Sequence, residues 1–314
     1  METFSVVDSQ LQASIVKRVI CLSWQGFGYK KIIKQIKKEF SVNLSLGLLS
    51  YWFNHDVNLY GGQNHFDSKP TKELAYILGV IFGDGNLFFH KCKGDYAIRL
   101  EATDKDFVEH FSSCVSKVLN KEKNYAVNSY KRKSMDSIMY STKARSKEIY
   151  YFIKDIKEDF EKVKPFAKAH PKEFIQGLAD SEGCPNISAR ANFSVGVCVA
   201  SSMNVQLLAF VSLLLNNYFK MTSKVRLSKR KGMADSIING RIITRQKDLF
   251  ALNITDFKST KRFTSLVGFN IFRKQIKLID SVNIFENELV VNRLICWNKK
   301  YVRLGRNWVH QKSN

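Results

Sequence analysis

Apolar positions along the chain recur with two different periods, and the points where the period changes mark out elements. Over residues 192–200 every second side chain is apolar (Phe193, Val195, Val197, Val199), as in a strand with one buried face. Past residue 205 the run Leu207-Leu208-Ala209-Phe210-Val211 opens a helical pattern that predicts a helix over 205–219. Pro70-Thr71 precedes a helical pattern over 73–82, and Pro171 stands in the first turn of a second one over 173–181. Read this way, the first stretch gives helix 73–82, a strand pair marked by 95–102, helix 107–120, strands 125–131 and 137–141, and helix 147–156. The second gives helix 173–181, a strand pair marked by 192–200, helix 205–219, strands 224–229 and 249–254, and helix 260–266. The order α-β-β-α-β-β-α therefore occurs twice. It predicts an α+β fold with two four-stranded antiparallel sheets, and residues 161–172, with Pro165 and Pro171, form the connector.

The two stretches also match in residue identity. Gly79-Val80-Ile81-Phe82-Gly83-Asp84-Gly85 lies 98 positions before Gly177-Leu178-Ala179-Asp180-Ser181-Glu182-Gly183. At the same offset Ala102-Thr103 falls on Ala200-Ser201, and Lys131-Arg132-Lys133 on Lys229-Arg230-Lys231. Several matches at one offset indicate a duplicated unit with internal pseudo-twofold symmetry in a monomer. Residues 12–54 stand outside it and read as three short helices, 13–24, 29–40 and 46–53, the last with Ser45 as N-cap. That pattern suits a small all-α, helix-turn-helix-like module whose third helix would enter a DNA major groove. Gly61-Gly62 marks a linker over 56–68. The expected organisation is a helical module and linker (1–66), two duplicated halves (67–165 and 166–285) and a basic extension (286–314). The extension holds Arg293, Lys299, Lys300, Arg303, Arg306, Trp297 and Trp308, which either lengthen a nucleic-acid contact or pack on the second half.

Charge changes the picture from fold to partner. Fifty Lys and Arg against 28 Asp and Glu leave a formal charge of +22, spread from Lys17 to Lys312. Such a surface expects a polyanion, because cations that neutralise phosphates release condensed counterions. The six cysteines (Cys21, Cys92, Cys114, Cys184, Cys198, Cys296) are too scattered for a zinc knuckle or a redox C-x-x-C and read as reduced core thiols. The first residues carry no secretion signal and no apolar run approaches a membrane span, so an intracellular protein without a membrane partner is expected.

The duplicated motif carries the candidate chemistry. Gly79-x-x-x-Gly83 and Gly177-x-x-x-Ser181 each place two small residues on one helix face, so two such helices can approach until their backbones touch. Gly85 and Gly183 end the helices, at a position where a left-handed conformation is cheap. The residue before each is an acid, so pairing the helices sets Asp84 beside Glu182. Two carboxylates at two helix C-termini repel each other unless a cation neutralises them. A hard divalent ion, Mg²⁺ or Mn²⁺, fits, with Gly83 and Ser181 as further candidate ligands. Ions shared with a scissile phosphate would make a two-metal hydrolytic site. Asp180, whose counterpart in the other copy is Phe82, reads as packing or solvent-facing.

Residues 77–85 and 175–183 resemble the two LAGLIDADG motifs of monomeric homing endonucleases, especially archaeal single-chain members, and the similarity runs over about residues 70–280. The resemblance implies a saddle of two sheets straddling a long asymmetric double-stranded DNA target, with Asp84 and Glu182 holding the metal and each half cutting one strand. It also implies polar or basic groups that order the attacking water. Lys105 fits one such place, though Ser202 and Met203 stand at its counterpart. Lys274, in Phe272-Arg273-Lys274-Gln275, fits another, with Lys168 as its counterpart. Pro185 departs from relatives that carry a lysine near there. On the sheets, Arg99, Asn128, Tyr130, Arg132, Arg190, Asn192, Arg226 and Arg230 alternate with apolar neighbours and are the candidate DNA readers. The alternatives are a non-cleaving DNA-binding regulator on the same scaffold, of a kind that usually loses the paired acids, and a maturase acting on intron RNA. The chain ends without a His-Asn pair, which argues against an intein.

Overall fold

A computed structural model describes residues 2–54, 66–90, 95–132, 137–190, 192–238, 241–305 and 307–311. Most of the expected linker, Cys92, Lys133 and Arg306 lie outside the described residues. The chain divides into two compact units. One holds Met1–Asp67 with Leu87–Ile98 and Arg145–Phe152, and the other Ser68–Asn86 with Arg99–Ala144 and Ile153–Asn314.

The N-terminal part opens with β1 (Glu2–Thr3), followed by α1 (Ser9–Trp24), α2 (Tyr29–Phe40), β2 (Val42–Asn43) and α3 (Leu46–Asn54). Asp8 caps α1 through Leu11 N at 2.8 Å, and Ser45 caps α3 through Leu48 N at 3.1 Å. Ile15, Val19, Leu22, Ile32, Ile36, Leu49 and Trp52 close a core of their own. The three helices fall where the periodicity places them. The part is not purely helical, because β1 and β2 pair in parallel.

The duplicated region follows. Its first copy runs α4 (Lys72–Ile81), β3 (Asn86–His90), β4 (Asp95–Ala102), α5 (Lys105–Val118), β5 (Val127–Lys131), β6 (Ile138–Arg145) and α6 (Lys147–Glu158). The connector is itself helical, a 3₁₀ turn at Phe160–Val163 and α7 (Lys164–Ala169). The second copy runs α8 (Pro171–Glu182), β7 (Cys184–Ala189), β8 (Phe193–Ser202), α9 (Val205–Phe219), β9 (Lys224–Lys229), β10 (Ala234–Ile238), β11 (Arg241–Thr244), β12 (Leu249–Ile254) and α10 (Phe257–Leu266). The sheets have equivalent orders, β3-β4-β6-β5 and β7-β8-β12-β9. The fold is thus α+β, with α-β-β-α-β-β-α built twice. The hairpin β10–β11 is an insertion, and the sequence pattern merges it into the space between β9 and β12. Beyond the duplication come α11 (Phe272–Asn287), α12 (Val290–Lys300) and the antiparallel hairpin β13 (Tyr301–Leu304) and β14 (Asn307–His310).

The helices α4 and α8 pack along their length, and glycine is what lets them. A Cβ on Gly79 would stand 2.2 Å from the Phe174 carbonyl oxygen, and one on Gly177 would stand 2.3 Å from that of Tyr76. Real Cβ atoms cannot come so close to backbone, so neither position accepts alanine without moving a helix.

Candidate active site

The site is built where the paired helices end. On α4, Thr71 caps the start through Leu74 N at 3.1 Å, and the helix stops at Ile81. Gly83 N and Gly85 N both bond the Val80 carbonyl, at 3.0 and 2.9 Å, so Asp84 sits on the closing turn. On α8 the helix runs through Glu182, and Gly183 N closes on the Ala179 carbonyl at 2.8 Å. Gly183 has φ −92° and ψ 162°, an extended residue, and Gly85 is not among the positive-φ glycines. Space, not handedness, dictates both, which corrects the expectation of left-handed caps. A Cβ on Gly183 would meet the Val199 carbonyl oxygen at 2.6 Å, and one on Gly85 would meet Ile81 Cα at 2.9 Å.

The contact continues to the acids. A methyl on Gly83 would lie 2.4 Å from Ser181 Cβ and 3.2 Å from Glu182 Cγ. Asp84 and Glu182 consequently feel each other. Partial burial raises the Glu182 pKa above its ordinary value, the Asp84 charge raises it further, and Lys274 pulls it back. Asp84 reaches solvent, yet the surrounding protein raises its pKa too, again opposed by Lys274. Ser181 donates its hydroxyl to the Gly177 carbonyl at 3.1 Å and so contributes smallness at this contact. Gly83, with no side chain, leaves the room that Ser181 fills.

Lys274 is 7% exposed, on the first turn of α11. Its Nζ donates to the Asp180 carbonyl at 2.6 Å and reaches the Ala179 carbonyl at 3.4 Å, covering the end of α8. Burial lowers its pKa and the Asp180 charge opposes this. The lysine that plays the same part on α4 is Lys157, whose Nζ lies 3.4 Å from the Ile81 carbonyl, the repeat equivalent of Ala179. Lys168, the counterpart that sequence matching names, is exposed on α7. Lys157 is reached from α6, in an unmatched part of the repeat, and no residue pattern marks it. Lys105 is exposed and paired with Glu109 at 3.0 Å on its own helix. The basic charge acting on both acids is that of Lys274.

Asp180 is 1% exposed, and the packing reading holds while the solvent-facing one does not. It accepts from Tyr76 Oη at 2.8 Å and from Asn270 N and Nδ2 at 2.9 and 3.2 Å, tying α4, α8 and the start of α11 together. Burial pushes its pKa up to about 6 against these bonds. Asp104 and Asp106, ahead of and within the first turn of α5, hold the second half as well. Arg273 Nη2 meets Asp104 Oδ2 at 2.7 Å, and Phe272 N meets Asp106 Oδ2 at 2.6 Å.

The candidate readers are surface residues. Asn128, Tyr130, Arg132, Arg190, Asn192, Arg226 and Arg230 are exposed and Arg99 is half-buried. Arg99, Arg132 and Tyr130 Oη converge on Glu101, Arg132 at 3.5 Å and Tyr130 at 2.9 Å, which holds the three in fixed positions. Of the described cysteines only Cys114 is buried, so the core-thiol expectation fails for the others described. Cys184 and Cys198, distant in sequence, are cross-strand partners on β7 and β8. Among the described residues no three His, Cys, Asp or Glu side chains gather as a metal cage, and no helix is long and apolar enough to cross a membrane.

The fold and this site together define a duplicated α+β chain with one acid from each half meeting at abutting helix ends. The chain is 31% identical over 267 residues to the uncharacterized protein MJ0398 of Methanocaldococcus jannaschii, spanning 84% of this chain and 91% of that protein, and it belongs to that protein's family. A second protein of that organism, the uncharacterized MJ0314, is 34% identical over 126 residues, 40% of this chain and 46% of its own length. No family model matches. Among solved structures, I-DmoI in complex with DNA and Ca superposes at 20% identity with a TM-score of 0.46, over 66% of this chain and 97% of that one. Full-length DUF199/WhiA from Thermatoga maritima does so at 16% identity and 0.41, over 75% and 68%.

Proposed function

We propose that the chain is a site-specific homing endonuclease of the LAGLIDADG kind, hydrolysing both strands of a long asymmetric DNA target with a divalent metal ion. The observation that carries this reading is the meeting of Asp84 and Glu182 at the ends of two helices in backbone contact. Mg²⁺ suits the donor set, since two carboxylates without a third acidic, His or Cys ligand leave coordination places for water and phosphate. Asp84 and Glu182 would hold the ion, and it would supply a lowered water pKa and charge neutralisation at phosphorus. Lys274 lowers the pKa of both acids, opposing the burial that raises them. The backbone contact fixes the spacing of the acids, a geometric requirement for in-line displacement. The net charge of +22 supports a polyanionic substrate.

The test is selection of cut molecules from a randomised duplex library incubated with the full chain and Mg²⁺. A long asymmetric consensus is expected. Asp84→Asn and Glu182→Gln should each lower cutting by roughly 10³-fold or more and leave duplex affinity in Ca²⁺ within about threefold. DNA binding without cutting under either Mg²⁺ or Mn²⁺ would instead make this a DNA-binding regulator. Substituting Arg226→Ala should relax base preference more than it lowers overall affinity.

A further inference from the structure

Beside Glu182 a cleft of about 400 Å³ runs along β7 from Cys184 to Arg190. Its other walls are α11, through Arg273, Lys274 and Lys277, and the C-terminal hairpin, through Arg303 and Trp308. No carboxylate lines it. Two of its cations are occupied: Arg273 by Asp104, and Lys274 by the end of α8. Among the described residues Lys277, Arg190 and Arg303 have no acidic partner, and Arg303 Nε bonds only the Gly305 carbonyl, at 3.3 Å. Lys277 is half-buried beside Arg273; burial and then that like charge lower its pKa, and Cys184 opposes them. Cys184, whose thiol is lowered to about 6 first by its bond with Cys198, offsets part of this charge, and cations gathered in a concave wall without a carboxylate still favour a ligand that brings negative charge.

The hairpin is anchored. Trp297 is fully buried, stacked on Tyr301 at 4.1 Å, with the Trp308 ring edge-on at 5.7 Å and Phe193 of β8 also at 5.7 Å. Tyr301 Oη and Lys300 Nζ both reach Asp280 of α11 at 2.8 Å. Arg303 and Trp308 are cross-strand partners and share one hairpin face. That face is therefore held before any ligand arrives, and binding there needs little ordering.

We propose that this cleft carries the phosphodiester backbone of the DNA strand passing Glu182, with Lys277 and Arg303 on its phosphates and Trp308 against a sugar or base. The C-terminal extension is then a working part of the nucleic-acid interface, separate from the open sheet faces. The inference rests on the endonuclease reading and names the ligand of a segment that reading leaves idle.

Salt titration tests it. In the full chain with Ca²⁺, the double variant Lys277→Gln and Arg303→Gln should flatten the slope of log affinity against log salt by about 2, near 0.9 per lost phosphate contact. Its footprint on duplex DNA should shorten on one flank only. Trp308→Ala should weaken binding roughly 10-fold and Trp308→Phe much less, as expected of stacking. An unchanged slope and footprint in a double variant that melts with the parent would overturn the inference while leaving the endonuclease reading intact. A parent chain that binds no duplex DNA at low salt would overturn both.

Discussion

The ends of α4 and α8 occupy the same place in the repeat and are finished by different means. On α8 the helix continues through Glu182, Asp180 is sealed beneath by Tyr76 and Asn270, and buried Lys274 covers the last carbonyls. On α4 the helix stops short of its acid. Phe82 takes the place of Asp180, with its ring against Phe160 and Phe174 at 5.9 and 6.4 Å, and the exposed Lys157 covers Ile81. One carboxylate is framed by hydrogen bonds and charge, the other by aromatic packing and a turn. A duplicated scaffold can thus hold two equivalent acids without equivalent support, provided the glycine contact between the helices is kept.

That shared contact should give the largest effect. Gly79→Ala and Gly177→Ala are each expected to cost more than about 3 kcal/mol, because the new methyl meets backbone that cannot step aside. Equal losses in urea melts would show that the two halves depend on the contact alike, and a loss at only one would break the symmetry. The next effect belongs to the second half alone. Asp180 has a folded pKa near 6 against 3.8 for the ordinary group, so the native state holds the proton more tightly than the unfolded chain. Stability should fall as pH rises from about 4 to about 6, by up to about 3 kcal/mol, and change little from this source above that. In EDTA, Asp180→Asn should remove the fall. A parent chain that gains stability over that interval relative to the Asn variant would contradict the sign.

Smaller effects separate the two lysines. Lys274→Met strips charge from a buried place and leaves α8 carbonyls unpaired, a loss of about 2 kcal/mol, whereas Lys157→Met at an exposed site should cost under about 1. Equal melting shifts would mean the two ends are held alike after all. Least is expected of Lys105→Gln, a melting temperature indistinguishable from the parent's, since both Lys105 and its partner Glu109 are exposed.

Much of this was legible in the residues. The repeat is written in identities at one offset, and the acids, the glycine faces and the strand with Phe193, Val195, Val197 and Val199 follow from it. What stayed hidden depends on contacts made across the chain. Asp180 looks like a surface acid until Tyr76 and Asn270, from remote segments, close around it. Lys157 carries no signal because its partner is a backbone carbonyl, which any residue supplies. Cys184 and Cys198 become neighbours only through strand register. The strand β3 escaped because Leu87-Phe88-Phe89 does not alternate, and β7, although its residues alternate, because Pro185 is at odds with a strand. It is tolerated because β7 lies at a sheet edge.

The edge proline has a consequence of its own. A strand beside a highly charged cleft, with its outer hydrogen-bonding groups open, invites a second chain to extend the sheet. Lacking an N–H, Pro185 offers one donor fewer near the start of β7, which makes this edge a poorer template for a second chain.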